Sequence, residues 1–149
     1  MTESANHQAD LKPPGGSEAT SPAVALGLVV LDTNEPKRLA DFYAALLSWD
    51  IVRADDDWVT IRPATGAGNA GAGAGPGLAF QLVVNYQPPT WPTGAVPQQF
   101  HLDLDVADLA AAAEYAESLG AEKVVTAGRA SSFTLFLDPS GHPFCLCAA

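Results

Sequence analysis

The chain has 149 residues, 48% of them apolar and 16% charged, with a formal net charge of −10. That length suits one ordinary domain with a real core, and the acidity argues against nucleic acid or an anionic membrane surface as partner. No apolar run reaches the ~20 residues that a bilayer crossing requires.

Residues 1–22 are mostly Ser, Thr, Glu, Pro, Gly and Ala. They lack the apolar core of a secretion signal and bury too little to offset the entropy of ordering, so a disordered tail is expected. Without a signal the expected compartment is the cytoplasm. The two cysteines, Cys145 and Cys147, stand one residue apart. A bridge across that spacing would be strained on a strand, so no disulfide framework is expected.

Residues 25–31, Ala-Leu-Gly-Leu-Val-Val-Leu, are rich in branched side chains and are closed by Asp32, Thr33 and Asn34. They read as a buried strand. Asn34 or Thr33 can cap the next helix, and Pro36 suits its first turn because its missing N–H is not needed there. Leu39, Phe42, Tyr43, Leu46 and Leu47 recur at helical spacing and give residues 36–47 an apolar stripe. Residues 49–53 and 58–62 flank an acidic turn, Asp55 to Asp57, as a hairpin. The Gly/Ala-rich stretch 64–77 has no side chains with which to build a core and reads as a flexible excursion. Residues 78–84 then form a fourth strand.

A proline-rich stretch, 85–97, follows and carries Tyr86 and Trp91. It is too long and too aromatic for an idle turn, and is a candidate lid. The second half repeats the order of the first. Residues 99–106 are a strand, Asp108 can cap an alanine-rich helix ending near Leu119 and Gly120, and strands follow at 122–126, 132–137 and 143–147. The last two are joined by Asp138-Pro139-Ser140-Gly141, which has favourable turn residues at each corner. Both halves therefore read βαβββ, giving an α/β (α+β) domain over 23–149, with module one at 23–84, a linker at 85–97 and module two at 98–149. Leu31-Asp32 parallels Leu104-Asp105, Glu35 matches Asp108, Phe42 matches Tyr115, and Phe80-Gln81-Leu82 parallels Phe144-Cys145-Leu146. The competing arrangement is one sheet with unrelated halves, such as a ferredoxin-like domain with additions.

Val30-Leu31-Asp32 leading into Leu39-Ala40-Asp41-Phe42-Tyr43, with Asp138 to Phe144 at the end, resembles the vicinal oxygen chelate superfamily of glyoxalase and bleomycin-resistance proteins. The resemblance covers nearly all of 23–147 and implies two βαβββ modules whose curved mixed sheets form a cup. Pro88-Pro89-Thr90-Trp91-Pro92 followed by Phe100-His101-Leu102-Asp103 resembles a glyoxalase-like branch without an assigned reaction. Such motifs speak to fold more than to chemistry, because one fold hosts many reactions.

The resemblance also implies where a divalent ion would sit in the catalytic members. Their first-strand ligand lies seven positions before the acidic residue that opens the helix. From Asp108 that position is His101, and from Glu35 it is Leu28, which has no donor atom. The closing-strand ligand positions fall on Gln81 and Cys145. His101, Gln81 and Cys145 are thus the implied ligands if a metal is present. Without a carboxylate they suit a hard ion poorly, so no cofactor is the expectation and a divalent metal the alternative.

His101, Asp103 and Asp105 alternate along one strand and share a face, so Asp103 is a candidate to supply the missing charge. The blander reading gives His101 a hydrogen bond to Gln81 or to water. Cys145 and Cys147 also share a face, with inert packing favoured over metal binding. Trp91, Tyr86, Trp58 and Phe80 could wall a flat ligand, against ordinary packing as the plainer alternative. His142, between Gly141 and Pro143, is expected to face solvent.

Two functions follow from these residues. One is a small-molecule-binding protein with a degraded metal site, in which Gln81, Tyr86, Trp91, His101, Asp103 and Cys145 line the ligand. The other is a metal-dependent lyase, isomerase or dioxygenase. The expected partners are a small organic ligand and a second copy of the chain in a homodimer, as the resemblance implies.

Overall fold

A computed structural model describes residues 24–64, 75–91, 93–125 and 132–149. The expected tail at 1–22, most of the Gly/Ala stretch and residue 126 of the expected sixth strand lie outside the described residues.

The elements are β1 (Leu28–Thr33), α1 (Pro36–Leu47), β2 (Trp49–Ala54), β3 (Trp58–Pro63), β4 (Gly77–Leu82), β5 (Leu102–Val106), α2 (Leu109–Ser118), β6 (Glu122–Lys123), β7 (Phe133–Leu137) and β8 (Pro143–Ala148). They build two open four-stranded sheets of the same design, β1-β4-β3-β2 and β5-β8-β7-β6. In each, the first strand runs parallel to the fourth and the other pairs are antiparallel. This is the expected βαβββ pair, and the ferredoxin-like alternative is set aside.

Strand alternation sorts the side chains into two layers. Val29 and Leu31 of β1, with Leu102, Leu104 and Val106 of β5, join the core, while Val30, Asp32, Asp103 and Asp105 lie on the opposite, open face. The core is one continuous cluster because α1 serves both modules. Tyr43 stacks on Phe80 with centroids 5.7 Å apart, and its ring edge meets Phe144 at 6.2 Å. Phe42 reaches Phe144 at 5.9 Å, and Phe136 stacks on Phe144 at 5.5 Å. Each such pair contributes roughly 0.5–1.5 kcal/mol beyond its buried area.

The turn between β7 and β8 fastens the modules with polar contacts. Asp138, 4% exposed, accepts from the Tyr43 hydroxyl at 2.9 Å, and Ser140 Oγ bonds Thr33 Oγ1 at 2.7 Å. Thr33 also accepts the Glu35 amide at 3.0 Å. The residue at the α1 N-cap is Glu35, and no side chain caps that helix. The expected cap from Asn34 or Thr33 is therefore corrected, because the Thr33 hydroxyl is committed to Ser140 and Glu35. Asp108 caps α2 as expected, accepting from the Ala111 amide at 3.0 Å.

The helices differ in what they bury. Pro36, Leu39, Ala40, Phe42 and Tyr43 of α1 are buried, whereas α2 buries only Ala113 and Ala116. Phe42 and Tyr115 keep the expected register, each seven residues past its N-cap, but not the same surroundings: Tyr115 is exposed, and its hydroxyl donates to the Ala45 carbonyl at 3.3 Å. Its position falls outside the stripe that the alanines turn to the sheet.

Candidate functional site

The open faces of the two sheets can be compared rung by rung. In module two, Asp103 lies across from Cys145, which lies across from Leu135; Asp105, Cys147 and Phe133 form the next rung. In module one, Val30, Ala79 and Thr60 make one rung, and Asp32, Gln81 and Trp58 the next. Both first strands stop two residues short of their helix, and both central pairs start on an aromatic, Trp58 or Phe133. The rungs therefore match as Val30 with Asp103, Ala79 with Cys145 and Gln81 with Cys147, while Leu28 keeps its match with His101. The expected parallel of Gln81 with Cys145 is corrected by one pleat. A slip of two residues preserves which side chains face in and out, so the apolar pattern of the sequence could not reveal it.

In module two this face carries a compact group. His101, Asp103 and Cys145 bring one potential ligand atom each within 4.8 Å of one another, and His101 Nε2 lies 3.3 Å from Asp103 Oδ1. The Cys145 thiol hydrogen-bonds Asp103; burial first, and then that carboxylate, push its pKa up to about 11. Burial and the carboxylates of Asp103 and Asp105 raise Cys147 as well. Both thiols are held protonated, which fits the inert reading. At the matching places module one offers Leu28, Val30 and Ala79, none with a donor. Gln81 is exposed one rung further along, across from Asp32. A hard divalent ion fits this donor set badly, with one imidazole, one carboxylate and one soft thiol drawn from a single module.

A second feature lies where the linker crosses β1. A cleft of about 310 Å³ is walled by Val30 and Asp32, by His142 at the start of β8, and by Tyr86 and Phe100 of the linker region. Tyr86 packs against His142 with ring centroids 5.1 Å apart. Its hydroxyl is buried without a hydrogen-bond partner among the described residues, an arrangement that costs about 1–3 kcal/mol. Burial first, then the Asp138 and Asp32 carboxylates, raise its pKa well above the ordinary phenol value, so it stays neutral.

His142 corrects the expectation of a solvent-facing residue. Its side chain is 14% exposed, its Nδ1 lies 2.8 Å from Asp138 Oδ2, and its Nε2 donates to the Asp32 carbonyl at 2.9 Å. The physical reason is the turn itself: Asp138 Oδ1 accepts the Ser140 and His142 amides and folds the ring inward. The sequence signal was an Asp four residues before the His across a Pro-Ser-Gly corner. Phe80 is also corrected. It is fully buried against Tyr43, so it cannot wall a ligand. Trp58 does sit on the open face, donating to Thr60 Oγ1 at 2.8 Å, and Trp91 is half-buried on the linker but outside the cleft wall. Asp32 and Phe100 were not foreseen as site residues, since only the fold brings them together.

A family model described as a glyoxalase-like domain matches residues 28–147. No curated protein matches the chain. Among solved structures, a glyoxalase/bleomycin resistance protein/dioxygenase family enzyme from Burkholderia phytofirmans PsJN is similar at a TM-score of 0.60 and 14% identity, over 84% of this chain and 98% of that one. A bleomycin-binding protein complexed with bleomycin is similar at 0.53 and 18% identity, over 85% and 99%. The trypanothione-dependent glyoxalase I of Leishmania major is similar at 0.56 and 14% identity, over 85% and 87%. At these identities the likeness shows a shared fold.

Proposed function

The chain belongs to the glyoxalase-like domain family, within the vicinal oxygen chelate superfamily, and from that premise we propose that it binds a small organic molecule without using a metal ion. The carrying observation is the contrast between the modules: Leu28, Val30 and Ala79 stand where module two has His101, Asp103 and Cys145. An ion that polarises substrate oxygens needs anionic or imidazole donors around it, and one module supplies none at these places. The linker with Tyr86 and Trp91 acts as the lid over the ligand, which also meets Gln81, His101, Asp103 and Cys145 on the open faces. A bleomycin-binding protein shares the fold, which supports sequestration as a role that this architecture can fill. A homodimer goes with this reading: exposed apolar side chains away from the cleft, such as Ile51, Val52, Leu82 and Val84, are surface that a second copy would cover.

The metal-dependent alternative keeps one observation in its favour, the closeness of His101, Asp103 and Cys145. In that case these three residues would hold a soft ion, and the ion would supply Lewis acidity to a lyase, isomerase or dioxygenase reaction. Native mass spectrometry of protein purified without chelator separates the readings. The binding reading expects a mass that retains or takes up organic molecules of a few hundred daltons and carries no divalent ion. A stoichiometric ion would overturn it.

A further inference from the structure

We propose that the cleft between the linker and β1 selects organic cations, specifically ammonium compounds that place an N–H group between the Asp32 carboxylate and the Tyr86 hydroxyl. This rests on the small-molecule-binding reading and names the ligand class for it. The first observation is the cavity, whose volume of about 310 Å³ lies at the small end of ligand pockets and suits a compact molecule. The second is charge. Asp32 is exposed in the cleft wall and forms no salt bridge among the described residues, while the histidine of that wall, His142, has its ring nitrogens against Asp138 and the Asp32 carbonyl. Lys37, Arg38 and Arg53 pair with Asp41, Glu35 and Asp55 elsewhere, and the Arg62 guanidinium donates to the Gly27 carbonyl.

The third observation is the Tyr86 hydroxyl, buried and without a partner among the described residues. A neutral hydroxyl can accept one N–H and donate one O–H. An ammonium group has donors enough for both Asp32 and the Tyr86 oxygen, and the charge strengthens each bond. Tyr86 and Phe100 line the same wall, and aromatic side chains attract a cation with an apolar body. An anionic ligand would meet the Asp32 carboxylate with nothing to offset it.

The test is calorimetry on the full chain with three indoles of similar shape: tryptamine, 3-propylindole and indole-3-propionate. The expected result is tryptamine binding at least roughly tenfold tighter than the carboxylate, a difference typical of a charge-assisted hydrogen bond. Asp32→Asn should collapse that preference to less than about threefold, and Tyr86→Phe should weaken tryptamine without restoring the carboxylate. Asp32→Asn should unfold at the parent's temperature and Tyr86→Phe at or above it, since it removes the unpartnered hydroxyl; either result confirms that the variant folds. Absence of tryptamine binding, equal binding of all three probes, or a preference that survives Asp32→Asn would overturn the proposal. Equal binding would still leave the small-molecule-binding reading standing. A stoichiometric divalent ion would instead remove that reading while leaving the cleft's charge preference measurable by the same variants.

Discussion

The two modules share strand order, helix placement and a common aromatic core, yet their open faces have different chemistry. Module two gathers His101, Asp103 and Cys145 within 4.8 Å, while the matching rungs of module one hold Leu28, Val30 and Ala79. The helices are unlike in the opposite sense: α1 buries Leu39, Phe42 and Tyr43, and α2 buries alanines. Module one therefore supplies the bulkier helix to the shared core, and module two the donor-bearing open face and the turn that ties the modules together. In this fold the residues that hold the structure and those that could hold a ligand are free to drift apart. The helix-facing half of each strand is fixed by the core, while the other half carries the exposed Val30, Asp32, Gln81, Asp103 and Asp105.

The largest expected effect comes from cutting the polar tie. Asp138 is buried, accepts from the Tyr43 hydroxyl and the Ser140 and His142 amides, and lies 2.8 Å from His142 Nδ1. Asp138→Ala leaves those donors without an acceptor and should cost about 3–5 kcal/mol in urea unfolding. A loss under about 1 kcal/mol would mean that module two does not fasten module one in this way.

The next effect concerns the thiol that distinguishes the modules. With its pKa at about 11 instead of 9, Cys145 should react with iodoacetamide at pH 8 roughly 100-fold more slowly than a free thiol, since only the thiolate attacks. The rate should rise with pH through an inflection near 11. Asp103→Asn removes the second and third causes of the shift and should move that inflection downward. The same shift has a sign for stability. Between the unfolded and folded pKa values the unfolded thiol has lost its proton and the folded one has not. Stability therefore falls as pH rises from about 9 to 11. An unchanged inflection in Asp103→Asn would break the link between the two side chains.

The smallest effect compares the helix ends. α1 closes on Ser48 at φ 55°, whereas the residue after Leu119 at the end of α2 is Gly120 at φ 102°. A side chain in the left-handed region costs about 1–2 kcal/mol, part of which returns as the greater unfolded-state freedom of glycine. Ser48→Gly should stabilise by up to about 1 kcal/mol, and Gly120→Ser should destabilise by a similar amount. Thermal unfolding of the two variants reads both.

Much of the fold was legible because its signals are local. The stripe of α1 and the Asp138 to Gly141 turn specify themselves within a few residues, and the βαβββ repeat follows from their order. The site was legible in part. His101, Asp103 and Cys145 are read from strand parity and from the resemblance, but the match of Gln81 to Cys145 was off by one pleat, which parity cannot detect. Asp32, His142 and Phe100 come together only through the crossing of the linker over β1. Phe80 shows the converse: an apolar residue looks the same in sequence whether it lines a pocket or fills the core.

The claim that the open faces no longer form a metal site is tested most directly by elemental analysis of three proteins purified without chelator: the parent, His101→Ala and Leu28→His. The account predicts far less than one divalent ion per chain in the parent, no further change in His101→Ala, and a gain of zinc or nickel affinity in Leu28→His, which restores a donor at the empty place in module one. One equivalent of a divalent ion in the parent, lost on His101→Ala, would contradict it.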